Sequence, residues 1–148
     1  MTMPRSLTAY LIALATITSA ILMIPIAASA ANPCALVTTA EASTAMGVSS
    51  LPGKARTSSR SSSCRYYSAD HTKNVFVQTI GADDMAGAGQ LGGKPVPGIG
   101  DKALWAAGSM FIQKGGKYVQ VGLYRSAASM QKMDPAIVPL AKTAAGRM

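Results

Sequence analysis

Met110-Phe-Ile-Gln-Lys-Gly-Gly-Lys-Tyr-Val-Gln-Val-Gly-Leu-Tyr124 decides the fold. The paired glycines 115 and 116 allow positive φ at both central positions of a tight turn, the geometry that reverses two antiparallel strands. Tyr118–Tyr124 places Val119, Val121 and Leu123 on one face, the period-two pattern of a half-buried strand. Met110–Gln113 is its partner. A hairpin of this kind needs further strands and a covering layer to be stable.

Upstream, Cys64-Arg-Tyr-Tyr-Ser68 and Val75-Phe-Val-Gln-Thr-Ile80 read as strands by their β-branched and aromatic content, with a turn over Asp70–Asn74. Lys102–Trp105 reads as another strand. Thr38-Thr-Ala-Glu41 matches a capping box, so a helix is expected over Thr39–Met46, stopped by Gly47. A short helix is expected around Asp84–Gln90, capped by Asp83-Asp84. Ser126–Met133 gives a turn or two. Asp134-Pro135 is a good N-cap and first helical residue for a C-terminal helix that buries Ile137, Val138, Leu140, Ala141 and Ala144. Pro139 conflicts with that start and predicts a kink or a later one. Val48–Ser63 reads as a flexible Ser-rich basic loop, and Gly92–Gly98 as loop because of its prolines and glycines. The expected fold is α+β: an antiparallel sheet of about five strands with the N-terminal and C-terminal helices packed on it.

Residues 1–30 carry an address. Arg5 precedes an apolar run from Leu7 to Ala27, and Ala28-Ser-Ala30 follows: the three regions of a secretory signal peptide. The run approaches the roughly 20 residues of a spanning helix, which makes a retained anchor the alternative. Thr16, Thr18 and Ser19 lower its hydrophobicity and Pro25 breaks it, which favours cleavage after Ala30. Lipidation at Cys34 is disfavoured by Asn32-Pro33 before it. Residues 31–148 then form a single exported domain, periplasmic or extracellular, whose membrane contact after cleavage is at most peripheral. Cys34 and Cys64 are the only cysteines of the chain. In an oxidising compartment they read as one disulfide rather than a redox pair, which would favour Cys-x-x-Cys.

Without the signal the chain has 13 Lys/Arg against 6 Asp/Glu. Such a balance suits solubility and attracts anionic surfaces. Lys54, Arg56, Arg60 and Arg65 fall close together with no acid among them, a candidate surface for an anionic envelope component. Export and the lack of interleaved aromatic and basic residues argue against nucleic acid. Gly98-Ile-Gly-Asp-Lys-Ala-Leu-Trp105 reads as a turn that fixes strand entry, with Asp101 capping the amides of its own loop. Its alternative role is the rim of a groove walled by Trp105 and Tyr66.

Cys34-Ala-Leu-Val-Thr-Thr-Ala-Glu41, Cys64-Arg-Tyr66 and Gly98–Trp105, in that order, resemble a group of bacterial secreted proteins and lipoproteins of unknown function. The likeness covers nearly all of the chain after Ala30. It implies an exported domain with a sheet and flanking helices, and it implies no activity. The lipobox of many such proteins is missing.

No strong catalytic, cofactor or metal motif stands out. Gly87-Ala-Gly-Gln-Leu-Gly92 matches a dinucleotide fingerprint only formally, since Gly93-Lys94-Pro95 forbids the helix that must follow. His71 is the only histidine, and Asp70 beside it in sequence diverges from it, a poor basis for a triad. Asp83-Asp84 lacks further calcium ligands. Met130 and Met133 could hold copper(I), although core packing is the commoner use of methionine. No catalytic residue, cofactor or metal is therefore assigned. The expected function is a non-catalytic exported binding or envelope-associated module. The alternatives are an exported enzyme, such as a hydrolase using a serine and His71, and an inhibitor or accessory subunit of another exported protein.

Overall fold

A computed structural model describes residues 32–148. The signal peptide expected at residues 1–30 lies outside the described residues. Seven strands form one antiparallel sheet: β1 Lys54–Thr57, β2 Ser62–Tyr67, β3 Asn74–Thr79, β4 Lys94–Pro95, β5 Lys102–Ala106, β6 Ser109–Lys114 and β7 Lys117–Tyr124. Their spatial order is β1-β2-β3-β7-β6-β5-β4. Two meanders therefore meet where β3 pairs with β7, in a register that sets Phe76 opposite Gly122 and Val77 opposite Val121. The helices are α1 Pro33–Leu36, α2 Thr39–Met46, α3 Ala82–Gln90, α4 Ala128–Gln131 and α5 Ile137–Gly146.

The Gly115-Gly116 hairpin forms as its sequence dictates, with φ of 54° and 74° at the two glycines and β6 paired to β7 from Ser109↔Gly122 to Lys114↔Lys117. Strand alternation then sorts the side chains. One face carries Cys64, Tyr66, Val75, Val77, Met110, Ile112, Val119, Val121 and Leu123, all buried with Leu36, Met46, Ile137, Leu140 and Ala141 of α1, α2 and α5. The opposite face is covered only in part. There Met85 and Ala88 of α3 bury Leu104 and Ala106, with Phe111 and Tyr118 packed beside them.

The sheet has seven strands, not about five, because both edges lie in segments expected to be loop. In the Ser-rich segment, Ser58 and Ser61 close a turn through backbone and side-chain hydrogen bonds, the Ser61 amide donating to Ser58 Oγ at 3.1 Å. Lys54–Thr57 is thereby returned along β2. Lys94-Pro95 pairs with Trp105 and Leu104. A two-residue edge strand tolerates proline because its outer side needs no amide donor.

The helix ends follow from local chemistry. Thr38 Oγ1 accepts from the Glu41 amide at 3.2 Å and Glu41 returns the bond to the Thr38 amide at 2.8 Å, a capping box as expected. Helix α3 starts at Ala82, earlier than expected, because Asp84 reaches back to the Gly81 amide at 2.8 Å. Helix α5 starts at Ile137, after the expected Asp134-Pro135. That later start leaves Pro139 in the first turn, where its missing N–H has no intrahelical partner to lose.

The Gly98–Trp105 segment locks the loop before β5 onto the hairpin. The Asp101 amide donates to the Gln113 carbonyl at 2.8 Å, and its carboxylate accepts from the Gly115 amide at 2.7 Å. Asp101 thus caps the facing hairpin turn rather than its own loop. A Cβ at Gly100, where φ is +58°, would lie 2.5 Å from the Gln113 oxygen, so close backbone approach requires glycine there.

Cys34 and Cys64 form a disulfide with 5.0 Å between their Cα atoms, as in proteins that mature in an oxidising environment. It ties α1 to β2. The Tyr66 hydroxyl reinforces that tie by donating to the Val37 carbonyl and lies 3.3 Å from the Cys34 carbonyl oxygen. Beside that tie, Arg147 near the C-terminus forks onto both carboxylate oxygens of Glu41 at 2.7 Å each and donates to the Leu36 carbonyl at 3.0 Å. The arginine lowers the Glu41 pKa from its ordinary 4.5 to about 2.

Candidate binding face

The register fixes which sequence-predicted residues meet. Lys54 stands opposite Arg65, and Arg56 lies two residues along β1, so these three cations share one face of the sheet. It is the face opposite Cys64 and Tyr66. All three are exposed. Arg60 sits in the β1–β2 turn at the end of that hairpin rather than on the face. Tyr66 is 2 % exposed and belongs to the core. It walls no groove, and burial raises its phenol pKa. Trp105 projects from the other side of the sheet and lines a cleft near β4 with Pro95, Val96 and Met133.

The cationic face contains residues that the basic cluster alone did not announce. Phe76 is opposite Arg65 in β3, and the Arg65 guanidinium lies 5.3 Å from the Phe76 ring centroid. Across the sheet the ring is seated over Gly122: a Cβ built there would be 2.0 Å from the ring edge. Gly122 therefore opens the floor on which Phe76 lies, a cross-strand glycine covered by an aromatic ring. Tyr67, Gln78, Gln120 and Tyr124 stand around it on the same face, each half-buried. The signal was present in β3 and β7, where the positions between the valines are held by aromatic residues, amides and a glycine rather than by charged solubilising residues.

The electrostatics are one-sided. No acidic residue occurs in β1, β2, β3 or β7. Both ion pairs among the described residues, Arg125–Asp134 and Arg147–Glu41, lie elsewhere, so Lys54, Arg56 and Arg65 carry charge that no described carboxylate neutralises. The arrangement offers flat aromatic surface, amide donors and acceptors, and cations held at strand spacing, which suits an extended anionic surface better than a small enclosed molecule.

The β2–β3 turn holds Ser68, Asp70 and His71, the histidine and aspartate already a poor basis for a triad in the sequence. Ser68, almost fully buried, donates to Asp70 Oδ1 at 2.6 Å. The Thr72 amide and hydroxyl donate to the same carboxylate at 3.1 and 2.9 Å. These bonds, the serine's foremost, lower the Asp70 pKa from its ordinary 3.8 to about 2. His71 adopts φ of 58°, donates its amide to the Ser68 carbonyl at 2.9 Å and rests its ring 5.3 Å from that of Tyr67. Serine and aspartate thus bond each other directly and close the turn. Among the described residues no group of three or more His, Cys, Asp or Glu side chains is placed to hold a metal ion, and no helix is long and apolar enough to cross a membrane.

Compared with protein-family models, curated proteins and solved structures, the chain matches none.

Proposed function

We propose that this protein is a non-catalytic exported binding module that docks on the anionic surface of the cell envelope through the open face of its sheet. The observation that carries the reading is the convergence of Lys54, Arg56 and Arg65 on one face beside Phe76, with Arg65 5.3 Å from the Phe76 ring centroid. Each basic residue near an anionic membrane surface contributes on the order of 1 kcal/mol. Aromatic rings with polar neighbours suit the boundary between water and apolar groups. The disulfide and the signal-like N-terminus support an extracytoplasmic site of action, periplasmic or extracellular.

Cosedimentation with vesicles tests it. The parent should bind vesicles containing anionic phospholipid at low salt, bind them more weakly at physiological salt, and bind zwitterionic vesicles poorly. A Lys54→Ala/Arg56→Ala/Arg65→Ala variant should lose roughly 100-fold in affinity, the sum of three contributions of about 1 kcal/mol each. Equal binding by parent and variant, or no binding by the parent at low salt, would reject the reading.

A further inference from the structure

Beside the cations, the middle strands carry a second set of groups on the open face, and the register sorts them into rows. Tyr67, Asn74 and Tyr124 stand opposite one another across β2, β3 and β7. In the next row Arg65 meets Phe76, and Phe76 meets Gly122. In the third, Gln78 is opposite Gln120. Tyr67 and Tyr124 are thus two strand spacings apart at the backbone, about 10 Å, with an amide side chain between them.

These groups keep their bonding capacity. The side-chain hydrogen bonds joining β2 to β3 run through Thr79, with the Ser62 amide and carbonyl, near one end of the pair. Among the described residues no partner engages the amides of Asn74, Gln78 and Gln120 or the hydroxyls of Tyr67 and Tyr124. All five side chains are half-buried, so their neighbours restrict them without removing them from solvent. Each amide offers both donors and an acceptor, and each tyrosine an apolar ring with a polar tip. The Arg65 guanidinium, 5.3 Å from the Phe76 ring centroid, places a charge between the tyrosine row and the glutamine row.

The chemistry of these rows separates three kinds of occupant. Strands β3 and β7 are paired on both sides, so they present no free backbone edge to which a peptide strand could add. A lipid chain laid on the face would strip water from the amides and give them no partners, which costs free energy. A sugar ring meets both demands, because its C–H face packs on an aromatic ring while its hydroxyls exchange hydrogen bonds with amides.

From this juxtaposition we infer that the open face binds an acidic polysaccharide, its sugar rings against Tyr67 and Tyr124, its hydroxyls on the amides of Asn74, Gln78 and Gln120, and its acid groups on Arg65. The charged end of this site rests on the envelope-docking reading; the tyrosine and amide rows do not.

Isothermal titration of the full exported protein at physiological salt tests it with three anions. Hexagalacturonate and a sulfated heparin hexasaccharide carry acid groups on pyranose rings, whereas hexaglutamate carries carboxylates without rings. At least one of the two glycans should bind roughly tenfold or more tighter than hexaglutamate. Gln78→Ala/Gln120→Ala and Tyr124→Ala, with circular dichroism to confirm folding, should each weaken glycan binding roughly tenfold and change hexaglutamate binding less than twofold. Lys54→Ala/Arg56→Ala/Arg65→Ala should weaken all three anions. No preference for either glycan over hexaglutamate, or glycan affinity unchanged in the glutamine variant, would overturn the sugar site; vesicle binding that is still lost in the triple cation variant would then leave envelope docking standing. A glycan preference that depends on Gln78 and Gln120, found with equal vesicle binding by parent and triple variant, would support the sugar site while rejecting docking through the cations.

Discussion

The two faces of the sheet differ in what covers them. One is sealed by α1, α2 and α5, and its inward residues are Val, Ile, Met and Leu with Cys64 and Tyr66 among them. The other is covered only where α3 lies over β5 and β6, and the rest presents Arg65, Phe76, Gln78, Gln120 and Tyr124. Burial is the main favourable term in folding, so the sealed face carries the stability. The open face is free to carry recognition, because changes there leave little newly buried surface uncompensated.

That division should appear first in truncations. Ile112, which is 0 % exposed, should cost about 2–5 kcal/mol when changed to Ala, whereas Gln120→Ala on the opposite side should stay within about 0.5 kcal/mol. Urea unfolding of the two variants measures both, and equal losses would erase the distinction between the faces. The disulfide belongs to the sealed side. Joining residues 30 apart in sequence, it should contribute about 3–4 kcal/mol on the chain-entropy model. Unfolding of Cys34→Ala/Cys64→Ala should show that loss.

Gly122→Ala sharpens the contrast from the open side. The added methyl meets the far edge of the Phe76 ring, not backbone, so the ring can swing towards solvent. A cost of about 1 kcal/mol or less is expected, together with a measurable weakening of anionic-vesicle binding. A large stability loss without a binding change would assign Phe76 to structure instead.

The smallest effect concerns the link between α2 and the C-terminus. Glu41 has its pKa depressed from 4.5 to about 2, so its contribution is full above the ordinary value and is lost as pH falls towards about 2. The pair is partly exposed, with side-chain accessibilities of 38 % and 31 %, so solvent screening keeps it near about 1 kcal/mol or less. Glu41→Gln should flatten the fall in stability between about pH 4.5 and 2. Asp70 titrates in the same range, so parent and variant must be compared point by point.

The sealed face was legible because burial leaves a pattern: Val75 and Val77, Val119, Val121 and Leu123, and the helix caps Thr38 and Gly47 all stand where their periodicities put them. The two edge strands were not legible for the converse reason. Every residue of β1 and β4 is exposed, and an element buried on neither face has no alternation to read. The basic cluster was visible as composition, but its assembly depends on register. Tyr66 and Tyr67 look alike in sequence and point in opposite directions. The parity is set by Cys64: once its sulfur is tied inward to Cys34, Tyr66 must follow it and Arg65 and Tyr67 must face out. The Trp105 cleft depends on β4 and on the α4–α5 connection, neither of which carries a local sequence signal strong enough to place it.

On the proposed function, the open face and not the helical layer meets the envelope. Backbone amide shifts of the isotope-labelled protein, followed during titration with anionic bicelles, test it residue by residue. Perturbations should centre on Lys54, Arg65, Phe76, Gln78 and Gln120 and fade with added salt, while amides of α2 and α5 stay in place. Perturbations centred on α2 and α5, with β1–β3 and β7 unmoved, would contradict it.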